Sequence, residues 1–305
     1  MAISENWAYL LDPGIRAIFE QQRAALAASS LLPVLFNVQT SSKAVEYDLG
    51  VGGMGDFEEY EGRIEYDDPE QLWRASYTHK EFVRGFKVER KLVDDDMYNI
   101  INRRPAALAM AAMRTREKHA ASVFNNAFNA SYTGYDGEPL CDHDHDYSPS
   151  RATYQDNYLT LALSYDNLVT ARETMRAFED DRGELIQVNP RLLLVPPELE
   201  GTANEIISTM RGQNSQQPDT ANYVANLAQD RGIRYLVWDY LTDSNAWFLI
   251  DPDLGRLYLN WFDRVPLEMA MDPTGDYHLE ARWRAYMRYS YGWSDWRFVI
   301  GSNPD

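Results

Sequence analysis

The chain has 305 residues, 45% of them hydrophobic and 13% aromatic, enough for one large or two ordinary packed domains and too apolar for a disordered segment. Its 29 Lys+Arg against 47 Asp+Glu leave a formal charge of −18, so the average surface repels phosphate polymers and anionic lipid headgroups, which argues against sequence-wide nucleic-acid binding. The single cysteine, Cys141, rules out an intrachain disulfide and any multi-cysteine zinc or iron-sulfur centre.

The cations are lopsided, 24 Arg to five Lys, and the rigid guanidinium fork suits carboxylate pairing at protein-protein contacts. The opening "MAISENWAYLLDPGIR" lacks the basic start of a signal peptide, and the uncharged stretch 24–42 is broken by Pro33, Asn37 and Gln39. A soluble chain is expected.

The first helix is expected over Pro13–Ala28, with Pro13 in its first turn and Ile15, Ile18, Phe19, Gln22 and Leu26 on one face. That face is nearly its only route to burial, as for an arm that packs on something else. From Ala44 to Arg90 come strand-like pieces, "KAVEYDLG", "GRIEYDD" and "EFVRGFKVERKL", too poor in apolar residues for a core, which reads as a long exposed hairpin. Asp94, Asp95 and Asp96 open a short helix through Ile101. A second, long and alanine-rich helix is then expected to about Phe128, capped by Asn102 with Pro105 in its first turn.

A polar loop spans Gly134–Thr153. The next helix is expected over Asp166–Asp181, burying Leu168, Ala171, Met175 and Phe178, with Gly183 past its end. Beyond it, "RLLLVPP" reads as a buried strand running into the helix "ELEGTANEIISTM", and "IRYLVWDYL" with "AWFLIDP" as a hairpin about Asp243–Asn245. The last long strand is the clearest: His278, Glu280, Arg282, Arg284, Tyr286 and Arg288 alternate with Leu279, Ala281, Trp283, Ala285, Met287 and Tyr289. Its expected partner is "PLEMAMD", turned by "PTGD".

Two clusters invite a chemical reading. "CDHDHD" at 141–146 places His143 and His145 two apart, so that on a strand both imidazoles point one way, and Asp144 adds a third candidate metal ligand. A metal-dependent hydrolase built on them needs a further ligand, and His79, His119 and His278 offer no H-E-x-x-H pattern. The competing reading is a hydrated, acid-rich loop. "GVGGMG" at 50–55 matches a dinucleotide fingerprint in letters only, since the acids that follow would repel a pyrophosphate; a glycine turn in a hairpin fits better. No G-x-S-x-G elbow or Walker A sequence occurs, and "YSYGWSDWRF" near the end reads as core and interface packing.

Several segments, in order, resemble the major capsid proteins of tailed bacteriophages, especially the Mu-like major head subunits. "NAFNASYTGYDGEPLCDHDH" is similar to that family's end of spine helix followed by an Asp-Gly-x-Pro-Leu stretch and a histidine five residues on: here Asp136, Gly137, Pro139, Leu140 and His145. The run from "NLVTARETMRAFEDDRG" through "LLLVPPELEGTANEIIST", and the terminal "YSYGWSDWRFVIGSNPD", match in the same order. Departures are local: Cys141 stands where the family often has an aromatic, and residues 46–79 contain no lysine, so the crosslinking of some relatives is not carried over.

The resemblance implies an α+β, Hong Kong 97-type capsid fold and no enzyme activity. Residues 1–45 would be an N-terminal arm, 46–90 an extended loop overlapping a neighbour, 91–184 with 263–305 a peripheral domain holding a spine helix at 97–128, and 185–262 an axial domain. Its implied role is self-assembly into pentamers and hexamers of an icosahedral virion shell, put together in the host bacterial cytoplasm with scaffolding, portal and possible decoration proteins. The shell encloses double-stranded DNA without reading its sequence and has no membrane partner or cofactor. Arg63, Glu65, Asp67, Asp68 and Arg74 on the loop are the expected intersubunit contacts. An encapsulin-like cargo shell of the same fold is the alternative to a virion.

Overall fold

A computed structural model describes residues 7–57, 59–60, 62, 66, 68–95, 98–208, 233–272 and 279–304. Two sheets and two long helices organise them. The first sheet has the order β1 (Asn37–Thr40), β11 (Leu259–Asp272), β12 (Glu280–Trp293), β4 (Lys80–Glu89). The second has the order β7 (Tyr158–Leu159), β13 (Val299–Ser302), β10 (Trp247–Ile250), β8 (Leu192–Val195), β9 (Arg234–Val237).

The alternation read into the last long strand is what folds the first sheet. Ala281, Trp283, Ala285, Met287 and Tyr289 are buried on one face of β12, whereas Arg282 and Arg284 stand exposed on the other. β11 is its antiparallel partner from Leu259↔Trp293 to Asp272↔Arg282. Leu279 departs from the pattern: it is exposed, with φ +49, where the chain enters the strand. His278 lies outside the described residues.

Two helices cover the buried face. α1 (Trp7–Ala27) buries Ile15 and Phe19, and Asp12 accepts from Trp283 Nε1 at 2.9 Å. Pro13 is inside this helix and not in its first turn, because Trp7, Ala8 and Leu11 pack on the core and extend the helix backwards. α4 (Tyr98–Asn125) is likewise one continuous helix where two are expected, with Pro105 in its interior. Ile101, Leu108, Ala109 and Ala112 are buried along it, and this packing outweighs the backbone hydrogen bond that proline cannot donate. A shorter helix, α3 (Arg90–Asp94), precedes it, and α2 (Leu32–Leu35) sits between α1 and β1.

β4 corrects the extent of the exposed hairpin. All ten residues Lys80–Glu89 pair with β12, from Lys80↔Tyr289 to Glu89↔Glu280, so this strand belongs to the first sheet. The sequence hides this because only one face of an edge strand is covered: Val88 is buried while Val83 is exposed.

The second sheet differs from its expected pairing. β9 and β10 do not form a hairpin; β8 lies between them, parallel to β9 and antiparallel to β10. β8 and β10 are buried at every residue and have the apolar runs of central strands. α5 (Tyr165–Arg176) is capped by Ser164, which accepts from the Asn167 N–H, and buries Leu168, Ala171 and Met175. It stops before Gly183, whose φ of +90 instead serves a turn over 180–184 closed by the Glu179↔Leu185 bridge. α6 (Glu200–Ser208) follows β8, and the C-terminal β13 completes this sheet instead of returning to the first.

Candidate assembly surface

Among the described residues, β2 (Val45–Val51) and β3 (Gln71–Thr78) pair only with each other, from Val45↔Thr78 to Val51↔Gln71. An isolated two-stranded ribbon is marginal in water, so its attachment matters. The end near the body is anchored: Ala75 and Tyr77 are buried, the Tyr77 ring lies 5.1 Å from Phe262, and Trp73 lies edge-on to Tyr135 at 5.7 Å. Burial, the largest influence on it, pushes the Tyr77 phenol up to about 12.

Further out, the glycine run acts as a grip point. The Gly52 N–H donates to Glu70 O at 2.8 Å, the Gly53 N–H donates to Asp181 Oδ1 at 2.8 Å, and Arg182 Nε returns a bond to Gly53 O at 2.9 Å. A side chain at Gly52 would run into the Asp181 carboxylate, which explains glycine there. Ser150 Oγ donates to Glu70 at 2.9 Å, tying the ribbon to the turn between β5 (His145–Ser148) and β6 (Arg151–Gln155).

Beyond this grip the segment exposes what a soluble surface normally hides. Met54, Phe57, Tyr60 and Tyr66 are all exposed, Phe57 fully and Tyr66 to 89%, after Tyr47, Leu49 and Val51 on the ribbon. Of the expected contact residues, Asp68 is exposed, and Arg74 is exposed with its guanidinium 4.8 Å from the Tyr47 ring centre. Arg63, Glu65 and Asp67 lie outside the described residues.

The "CDHDHD" stretch matches neither reading whole: His143 and Asp144 are exposed, as in a hydrated loop, whereas Cys141 and His145 are buried. β5 begins only at His145, so the two-residue spacing does not align the rings. His143 is exposed, with Nδ1 2.9 Å from Asp156. His145 is completely buried, stacked on Trp296 at 4.5 Å, with Nδ1 2.8 Å from the buried Asp136 carboxylate. Among the described residues no group of three or more His, Cys, Asp or Glu is placed to hold a metal ion.

The stretch is a joint between α4 and the second sheet. The Cys141 N–H donates to Ala127 O at 2.8 Å, and the Cys141 thiol, pushed up by burial, packs against Gly301 of β13. Asn157 Nδ2 donates to Leu140 O at 2.9 Å and Val299 O at 3.1 Å. Arg297 closes the joint, donating to Glu179 O at 2.9 Å and to its neighbour Asp295 at 3.0 Å. Sequence reading missed Asn157, which carries no local signature; Arg297 lies in the Asp-Trp-Arg of the closing strand that the resemblance rests on, but its contacts, so distant in the chain, were not legible there.

Comparison with known proteins agrees with this geometry. The family model described as phage capsid protein matches residues 74–301. No curated protein matches the chain in sequence. The capsid of the cyanophage P-SCSP1u superposes with TM-score 0.56 at 13% identity, covering 90% of this chain and 88% of that one. The bacteriophage JBD30 capsid gives 0.54 at 15% identity over 70% of this chain and 91% of that one. The capsid of an empty GTA particle gives 0.54 at 13% identity, over 90% and 89%. At such identities the likeness establishes the fold alone, the α+β fold of Hong Kong 97-type capsids. With the family model spanning well over half its length, this chain belongs to the phage capsid protein family, a structural protein and not an enzyme.

Proposed function

We propose that the chain is the major head subunit of a Mu-like tailed bacteriophage, assembling into pentamers and hexamers of an icosahedral virion shell around double-stranded DNA. One observation carries this: among the described residues, the segment beyond the Gly53–Asp181 grip leaves Met54, Phe57, Tyr60 and Tyr66 exposed. Heterologous contact with the next copy around a ring supplies that burial and closes the assembly. Asp68 and Arg74, with Arg63, Glu65 and Asp67, are the proposed charged contacts about this apolar centre.

The domain reading follows the same lines: an arm over 1–45, the extended loop within 46–90, a peripheral part from 91–184 and 263–305, and an axial part from 185–262. Strand pairing moves Lys80–Glu89 into the first sheet and Val299–Ser302 into the second. Scaffolding, portal and decoration proteins are the proposed partners, and the host cytoplasm the proposed place of assembly. Sizing and negative-stain microscopy of the purified chain, alone and with the scaffolding protein, test the reading. Closed particles support it; a monodisperse monomer under every condition rejects it. An encapsulin-like shell is distinguished by its contents, a cargo protein in place of DNA.

A further inference from the structure

The charge of −18 is not spread evenly. α4 carries five cations, Arg103, Arg104, Arg114, Arg116 and Lys118, and one acid, Glu117. Glu117 is buried, accepting from Ser30 Oγ and from Trp238 Nε1. Arg116 is also turned inwards, in a two-bond pair with Asp263 at 2.7 and 2.9 Å. Arg103, Ala107, Met110, Arg114 and Lys118 are exposed and recur at spacings of four, three, four and four, which is a single stripe along the helix.

The edge strand beside it adds two more cations. Arg104 donates to Lys87 O at one end of α4, and Phe82 lies 4.8 Å from the His119 ring at the other, so β4 and α4 run alongside each other. Lys80 and Arg84 share the helix-covered face of β4 with Phe82 and Phe86 and are exposed at its edge. Several acids on neighbouring elements are engaged or turned away: Asp12 with Arg16, Glu20 with Arg23, Asp94 with Arg90, and Glu81 with Arg288 on the opposite sheet face; Asp95, exposed at the end of α3, stands outside these pairs.

We propose that Lys80, Arg84, Arg103, Arg114 and Lys118 form a sequence-independent binding track for the phosphate backbone of double-stranded DNA. On the proposed shell function, the α4 side of the first sheet then faces the genome. From Arg103 to Lys118 the stripe is about 22 Å long at 1.5 Å per residue, a straight run that matches a duplex edge. Small residues between the cations, Ala107 among them, let a backbone approach closely. A second copy's acidic hairpin fits less well, because its exposed Phe57, Tyr60 and Tyr66 need an apolar receiver and the stripe offers only Met110. Long flexible cations without base-reading partners suit containment, where binding must be weak and indifferent to sequence.

The test is duplex binding by fluorescence anisotropy with full-length unassembled chain, on two unrelated sequences over a salt series. Each engaged cation contributes about −0.9 to the slope of log K on log salt, so the wild type is expected near −4.5 on both sequences. R103Q/R114Q/K118Q is expected to bind at least about tenfold more weakly at low salt, with the slope reduced by about 2.7. R282Q/R284Q/R288Q, the same charge change on the opposite sheet face, is expected to leave affinity and slope nearly unchanged. Equal losses in the two triple variants, or no binding by wild type, overturns the proposal. So does failure of R103Q/R114Q/K118Q to form shells in the absence of DNA, which would make the stripe a protein interface. Shell formation by wild type is scored separately by microscopy, so failure of the capsid reading is not confused with failure of the track.

Discussion

Phe57 is fully exposed in the single chain, and so contributes nothing to the stability of the monomer through burial. If a neighbour buries it, the contact is worth about 1.5–3 kcal/mol per subunit. Replacing Phe57 with Ser should then raise the concentration needed for assembly by about 10- to 150-fold, while the melting temperature of the unassembled chain stays within about a degree. Tyr60 and Tyr66 add to the same surface, and F57S/Y60S/Y66S should abolish particles at any practical concentration while leaving far-UV circular dichroism unchanged. The assay is particle yield against protein concentration by sedimentation, paired with thermal unfolding of the unassembled protein. Normal assembly of the triple variant, or a loss of monomer stability that matches the loss of assembly, refutes the reasoning.

Gly52→Ala pushes a methyl group into the Asp181 carboxylate and should lower particle yield at least several-fold with little change in melting of the body; Asp181→Ala, which removes the Gly53 bond, should share the phenotype. His145→Ala leaves the Asp136 carboxylate buried without its partner and should destabilise by about 1–3 kcal/mol in denaturant unfolding, whereas His143→Ala, on an exposed pair, should stay within about 0.5 kcal/mol. His79, held between Ser41 and Ser290, and His119, against Tyr289, are both kept below the ordinary 6.5, chiefly by burial. The unfolded chain therefore takes up more protons than the folded one as pH falls through 6.5, so stability is present above that pH and is lost below it. Thermal melts between pH 7.5 and 5.5 should show this decline, flattened in H79Q/H119Q.

Legibility in the sequence followed the range of the forces involved. The β12 alternation, the apolar run Leu192–Val195 and the α5 face were readable because each is a local pattern set against one buried side. The order of the second sheet was not, since "IRYLVWDYL" and "AWFLIDP" contain nothing to say that β8 inserts between them. Pro13 and Pro105 misled for the same reason: proline is a local stop signal, and here the long-range packing of Trp7 and Ile101 overrides it. His145 is the sharpest case. Its neighbours in sequence are acids that suggest solvent or a metal, yet its ring is enclosed by Trp296 from the far end of the chain. The exposed hairpin was legible in outline because apolar poverty marks a ribbon with no core, but its grip by Asp181 and Arg182 depends on a turn distant in sequence.

The central claim, that the hairpin's exposed aromatics are completed by another copy, is tested most directly by imaging wild-type particles at side-chain resolution. The expected map shows closed pentamers and hexamers with Phe57, Tyr60 and Tyr66 of each subunit buried against the next and the α4 face turned to the interior. Shells in which those three side chains remain in solvent, or a chain that forms no closed shell with its scaffolding protein present, would contradict it.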